Sequence, residues 1–455
     1  MRERPYRATS CSNAAVLSEW RNHLWKGVLE IPVLQQALQR FRGLRLKPLF
    51  SIADQVSSAT VGFLVAVYVG REMGADGLGV LAITGAIVLI VNAFQNSAVL
   101  EAMSVFGPRR PPAERRKYLG FLFALDVLWV GGITGLGALV AAIGNMVGAL
   151  DQEFLFVALS CLGYANLLAL QQLFRRQFYV EHHPSAALTQ SFSFLLLVSS
   201  GLLFLSEIGT PSVPQVYGVL AASSVIVCIV QSRRFRGRVA LPDMTLLRQY
   251  CIEHFRYGRW VLLTVPFSIG MYQGYYFLVG YLLSVEQTGL LRAVDTLVIP
   301  FQQIGIGLSM MFIPIASRHV DDMPVAKQWA YARQLLIPLM ALAAVYAGLL
   351  LLFGEELLDL VFGGNVAAAA EVLPAMAFMP VVQAAALPAA LALTAHKRPD
   401  LKFLSYAVAT LGTMTVGIAL ILWQGLWGAA LGLLFSQALF VAILWACLAW
   451  QWRRW

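Results

Sequence analysis

Residues 80–105 read VLAITGAIVLIVNAFQNSAVLEAMSV, and Glu101 is the one ionisable side chain in the run. A helix needs about 20 apolar residues to cross the hydrocarbon core of a bilayer, so this stretch suffices on its own. Similar runs lie near 49–70, 118–144, 154–174, 186–206, 215–231, 260–283, 292–316, 334–353, 371–395, 402–422 and 426–450, which makes twelve spans in all. Backbone groups in lipid must bond to one another, which allows only helices or a closed barrel. Unbroken apolar runs, without alternation, exclude the barrel. Composition agrees: 59% hydrophobic and 13% charged residues, with a mean hydropathy of +0.70, lie outside the soluble range. The sequence therefore predicts an all-α polytopic membrane protein.

Charge gives the orientation. Of the 33 Lys and Arg residues, all but Arg71 and Arg292 fall in an N-terminal tail, five alternate loops and a C-terminal tail. Basic loops are retained in the cytoplasm, so both termini are expected inside. The net charge of +9 then reflects topology, and no nucleic-acid partner is expected. The five cysteines have no CxxC pairing and are expected as free thiols, without disulfides or a metal site. Residues 1–46 form a cytoplasmic tail without a cleavable signal. From 13 to 46, Leu17, Trp20, Leu24, Val28, Ile31, Leu34, Leu38 and Phe41 interleave with Arg21, Lys26, Arg40, Arg42 and Arg45, the pattern of an interfacial amphipathic helix.

Outer loops are short: the longest runs from 354 to 370, and 71–79 and 423–425 are shorter still. The longest inner loop, 232–259, joins a first lobe (47–231, spans one to six) to a second (260–455, spans seven to twelve). Sliding the chain by 210 residues places Gly70 on Gly280, Gly79 on Gly289 and Asn92 on Gln302. Six spans separate the copies, so the lobes share an orientation and form a parallel repeat about an axis along the membrane normal.

Polar side chains inside spans are costly and mark candidate sites, with helix-to-helix contacts as the alternative. On the eighth span Arg292, Asp295, Gln302, Gln303 and Ser309 share roughly 100° of an ideal helix. Thr264, Ser268, Tyr272 and Tyr275 form a hydroxyl-bearing, aromatic face on the seventh, suited to sugars. Asp54 and Ser58 fall on Thr264 and Ser268 under the shift. Asn92, Gln95 and Asn96 lie on one side of the second span and Glu101 on the other, unless that helix is distorted. Asp54, Glu101 and Asp126 are candidates for a coupling proton or sodium ion, with interhelical bonding the alternative. There is no GxxxxGK[ST] loop and no HExxH, the His182–His183 doublet reads as loop, and no cofactor is expected.

Two stretches resemble a known family. Asp54-Gln55, followed by the run into Gly70-Arg71-Glu72-Met73-Gly74-Ala75-Asp76-Gly77-Leu78-Gly79, looks like the opening of polysaccharide-transporter (PST/Wzx-type) repeat-unit flippases. Arg71, Gly74 and Gly79 match the family's outer turn. Leu100–Gly107, Phe353–Gly364 and Gly425–Gly432 are similar too, and the resemblance covers about 45–450. It implies twelve helices in two six-helix lobes, the MATE-like arrangement of the MOP superfamily, in a bacterial inner membrane. The implied activity moves a lipid-pyrophosphate-linked oligosaccharide outward by alternating access, for exopolysaccharide, capsule or O-antigen assembly. The implied partners are a polyprenyl-linked glycan, the lipid bilayer and the polysaccharide polymerase or export machinery, with the chain itself a monomer. Such flippases show cationic groups in the cavity, and by position Arg292 is the candidate here. The alternatives are a proton- or sodium-coupled MATE-type drug exporter and, more remotely, a membrane-embedded glycan polymerase or ligase.

Overall fold

A computed structural model describes residues 47–107, 110–319, 325–396 and 398–452. The tail 1–46, with its expected amphipathic helix, lies outside the described residues. Residues 50–455 form one compact unit. Regular structure among the described residues is helical throughout. It comprises α1 (Lys47–Gln95), a π-turn (Asn96–Leu100), α2 (Glu101–Phe106), α3 (Pro112–Met146), α4 (Gln152–Val180), α5 (Pro184–Ile208) and α6 (Val213–Arg234). The second half has α7 (Met244–Tyr272), α8 (Gly274–Leu282), α9 (Val285–His319), α10 (Val325–Phe362), α11 (Leu373–Met376), α12 (Met379–Ala395), α13 (Pro399–Gly412), a π-turn (Thr413–Gly417) and α14 (Ile418–Trp452).

Among the described residues, eight helical stretches are long and apolar enough to cross a membrane, and two of them, Leu49–Ser104 and Asp400–Trp452, are long enough to cross twice. The reversal inside each rests on one glycine. Gly74 adopts φ 67° and ψ −158°, and Gly425 φ 60° and ψ −132°, backbone that a side chain would strain. The expected loops at 71–79 and 423–425 thus shrink to single-residue turns. The seventh span, α7 and α8, is interrupted at Gln273 and carries Pro266 within it; the eighth is α9. Counted with these two, the described helices match the twelve expected of an all-α multi-pass membrane protein.

The repeat is visible as a contact. A Cβ on Gly79 would lie 1.9 Å from the carbonyl oxygen of Val285, and one on Gly289 would lie 1.8 Å from that of Ala75. Shifting by 210 exchanges 75 with 285 and 79 with 289, so this is one contact seen twice about a two-fold axis. It seals the lobes on the face opposite the basic loops. Arg71 belongs to the same seam. It donates from Nε to Val361 O (2.7 Å) and from Nη2 to Leu360 O, capping the C-terminal end of α10. Asn365 donates back to Arg71 O, and Gly70 lies against the Phe362 ring.

On the basic face the expected loop 232–259 is helical in its second half. The start of α7 packs Leu246, Leu247 and Tyr250 on Val99, Met103, Tyr118 and Phe121. His254 bridges Tyr118 OH (2.9 Å) and Ala98 O (3.2 Å). Arg110 pairs with Glu253 and lies over the Tyr118 and Tyr250 rings, while Lys117 pairs with Asp243. Burial pushes the His254 imidazole below its usual 6.5.

Two outcomes follow. Gly289→Val should cost about 1–3 kcal/mol, as an overpacked contact does. Gly132→Ala, whose Cβ would meet open space, should cost nothing comparable in the same thermal-unfolding assay. Below pH 6.5 the unfolded chain protonates His254 first, so its contribution is full above that pH and lost as pH falls toward the lower folded value. Thermal stability should therefore decline from pH 7.5 to 5.5, and His254→Gln should flatten part of that decline.

Candidate functional site

Asp54 is fully buried on the first span and would be untenable there without a cation. Arg175 of α4 supplies it, donating from Nε and Nη2 to the carboxylate at 2.8–3.2 Å. Tyr179, one turn further along α4, donates to Asp54 Oδ2 at 2.5 Å. The remaining Arg175 contacts are Gln55 Oε1 (3.0 Å) and Gln172 Oε1 (3.5 Å). The sequence had placed Arg175 and Arg176 in a loop after residue 174. Helix α4 instead carries both into the bundle, so Arg292 is not the sole cation at depth. A basic residue at the end of an apolar run reads as loop, and the missed signal was the continued helical spacing through Phe178.

A cavity of about 320 Å³ opens beside this pair. Its polar lining is Ser58, Asn92, Tyr164, Gln171, Gln172, Arg175, Ser191 and Tyr217 from the first lobe, with Gln273 and Arg292 reaching in from the second. Arg292 donates from Nη1 to Asp295 Oδ2 (3.3 Å) and Tyr276 OH (3.4 Å). Tyr276 in turn donates to Asp295 at 2.6 Å, so the carboxylate holds both groups. Arg292 Nε, Asn92 Oδ1 and Gln273 Oε1 are buried without a hydrogen-bond partner. The residues lining the cavity thus hold one donor and two acceptors unspent, each buried in its wall.

Of the ten residues expected to line a cavity, Arg292 and Asn92 do so. Asp295 lies behind Arg292, buried. Gln302 donates to Tyr272 OH (2.8 Å), as does Gln383 (3.0 Å), forming a separate amide–phenol cluster in the second lobe. Gln303 accepts a long bond from Gln55 across the lobes (3.4 Å). Ser268 bonds its own helix at Val265 O, and Thr264 is half-buried away from the cavity. The side chain of Ser309 lies outside the described residues. Tyr275 is corrected outright: it is fully buried against Gly417 and Gly432, its hydroxyl on Ser436 at 2.9 Å. The interruption at Gln273 rotates it away from Tyr272, which an unbroken helical wheel does not foresee.

The second span is distorted at its π-turn, the condition under which its two polar sides could meet. In the π-turn residues five apart share a face, and Asn96 donates to Glu101 at 3.2 Å while accepting from Arg176 at 3.1 Å. Both therefore serve a network beside the cavity. Asp126 accepts from Gln95 (2.7 Å), which also bonds Ala169 O, a link between three helices. Arg71, Gly74 and Gly79 are the seam and turn described above.

The family described as "Polysaccharide biosynthesis protein" matches residues 156–365. Among solved structures, the chain resembles an inward-facing multidrug-resistance MATE transporter of the MOP superfamily (TM-score 0.71, 11% identity, 90% of this chain and 96% of that one). The family match spans less than half of the chain, and the likeness to solved structures shows a MATE-like fold. The chain also resembles a Vibrio cholerae MATE transporter (0.67, 11%, 93% and 98%). A third likeness is to the lipid II flippase MurJ in an inward closed conformation (0.65, 14%, 87% and 86%). No curated protein matches the sequence. The fold is the one shared by these MATE and MurJ structures.

Arg175→Ala would strand the Asp54 carboxylate in the bundle at a cost of about 3–5 kcal/mol. Asp54→Asn/Arg175→Gln together should destabilise less than the sum of the two single changes. Strictly additive losses in thermal unfolding would mean that the pair is not coupled.

Proposed function

We propose that this transporter moves lipid-pyrophosphate-linked oligosaccharide units from the cytoplasmic to the outer leaflet of a bacterial inner membrane, with both termini inside. The observation that carries this reading is the unspent hydrogen-bonding capacity of the cavity wall. Arg292, Asn92 and Gln273 line the cavity with a donor and two acceptors held unpartnered just inside its wall, and a turn of these side chains would offer them to a ligand that both accepts and donates, as sugar hydroxyls do. The guanidinia of Arg175 and Arg292 line the same space and suit a phosphate group. Tyr164 and Tyr217 add aromatic surface. The volume falls at the lower end of small-molecule sites, about 300–1,000 Å³, and so suits the sugars next to the linkage while the lipid tail stays in the bilayer. The Polysaccharide biosynthesis protein match and the likeness to MurJ support the same substrate class. Polymerase or export machinery would receive the product.

The drug-exporter reading is weaker on one count. As coupling acid, Asp54 would have to surrender both Arg175 and Tyr179 before binding an ion.

The test is flipping of a fluorescent polyprenyl-pyrophosphoryl glycan in proteoliposomes, with a cationic dye as comparator. Loss of a charge-assisted hydrogen bond, about 1.5–3 kcal/mol, corresponds to roughly a tenfold drop or more. Arg292→Ala should slow glycan flipping by that factor at unchanged protein level, and Arg292→Lys should restore part of it. Unchanged glycan flipping in Arg292→Ala, or transport of the dye but not the glycan, would refute the proposal.

A further inference from the structure

Helix α7 does not begin in the membrane. Its first four turns, from Met244 to Arg259, lie along the basic face before the apolar segment Leu262–Tyr272 begins. One side of this stretch, with Tyr250, His254 and Gly258, is buried on spans two and three. The other side is exposed at most positions and unusual in composition. Met244 is 78% exposed, Ile252 56% and Phe255 68%, and Leu241 just before the helix is 78% exposed. At about 100° per residue, Met244, Arg248, Ile252, Phe255 and Arg256 share one arc of roughly 120°. Apolar and cationic side chains therefore interleave along it turn by turn.

The acidic groups nearby are spent elsewhere. Glu253 is held by Arg110, Asp243 by Lys117 and Glu181 by Arg238. Arg233, Arg236, Arg248 and Arg256 are exposed and make no ion pair among the described residues. The apolar side of the face also runs on into lipid-facing surface, since Leu263 on the same helix is 52% exposed.

We infer that this face of α7 is a docking surface for anionic phospholipid, in the leaflet on the basic side of the protein. Met244, Ile252 and Phe255 enter the boundary between headgroups and acyl chains, while Arg248 and Arg256 reach the phosphates, as amphipathic interfacial helices do. A soluble acidic partner would match the arginines but leave no reason for apolar side chains continuous with the transmembrane surface. Because the opposite side of the same turns is bonded to Tyr118, Ala98 and Arg110, lipid held here bears on the first lobe directly. The inference goes beyond the transport reading and holds or fails independently of it.

Cys251 is exposed on the same face and gives a probe. The full-length chain, with Cys11→Ser, carries an environment-sensitive fluorophore on Cys251 and is titrated with phosphatidylglycerol or phosphatidylcholine in mixed micelles. Each arginine near an anionic surface contributes roughly fivefold in affinity. Phosphatidylglycerol should bind more tightly than phosphatidylcholine, and Arg248→Gln/Arg256→Gln should weaken it by roughly 25-fold while leaving phosphatidylcholine unchanged. Phe255→Ser should weaken both lipids, with thermal stability held as the control for folding. Equal affinity for the two lipids, or insensitivity to the arginine changes, would overturn the assignment. So would displacement by inorganic pyrophosphate alone, which marks a free-anion site. A lipid-independent shift that grows with protein concentration would overturn it too, by assigning the face to a second copy.

Discussion

An ionised or amide side chain inside a lipid-facing bundle needs a protein partner, because no water is at hand to replace one. In this chain those partners lie on neighbouring helices, and they fix how each helix is rotated. Asp54 ties the first span to α4 through Arg175 and Tyr179. Gln95 joins the second span to α3 and α4 through Asp126 and Ala169. Gln171 of α4 takes Ser224 of α6 on its side chain and Gln190 of α5 on its carbonyl. With α4 held from four sides, Tyr164, Gln172 and Arg175 are left facing the cavity. The cavity is thus a consequence of where the bundle spends its hydrogen bonds.

That logic explains what the sequence disclosed. Span number and the basic face were legible because insertion and hydrocarbon thickness act on composition, which needs no knowledge of packing. The 210-residue repeat was legible at Gly79 and Gly289 because backbone contact at 1.8–1.9 Å from a would-be Cβ tolerates nothing larger. Asn92 and Arg292 could be singled out because polar groups sharing one side of an apolar span stand out wherever the helix is regular.

Where helices are irregular the same reading failed. The π-turn at 96–100 swings Glu101 onto Asn96, and the interruption at Gln273 sends Tyr275 into the second-lobe core while Tyr272 stays with Gln302. A wheel drawn at a fixed angle cannot carry register across such breaks. Arg175 was lost for another reason. Its long side chain lets a residue near the end of a span reach back to a buried carboxylate, so its sequence position understates its depth. Interlobe reach, as when Arg292 of α9 enters a cavity built mainly by the first lobe, has no signature in either lobe alone.

The distribution of ion pairs bears on how such a bundle could move. Asp54–Arg175 lies within the first lobe and Arg292–Asp295 within the second, while Arg110–Glu253 and Lys117–Asp243 tie the start of α7 to the first lobe on the basic face. Beyond the contacts of α7 with the first lobe, what crosses is of another kind: the glycine seam, the Arg71 cap on α10, and the long Gln55–Gln303 bond. Separating Gly79 from Gly289 exposes backbone to water, and uncapping α10 leaves a guanidinium that is already exposed. Neither strands a buried charge, which would cost several kcal/mol. The costly pairs can ride intact inside each lobe while the cheap contacts between lobes break and re-form. A rocking motion therefore meets its lowest resistance at the seam, where the two copies of the repeat touch.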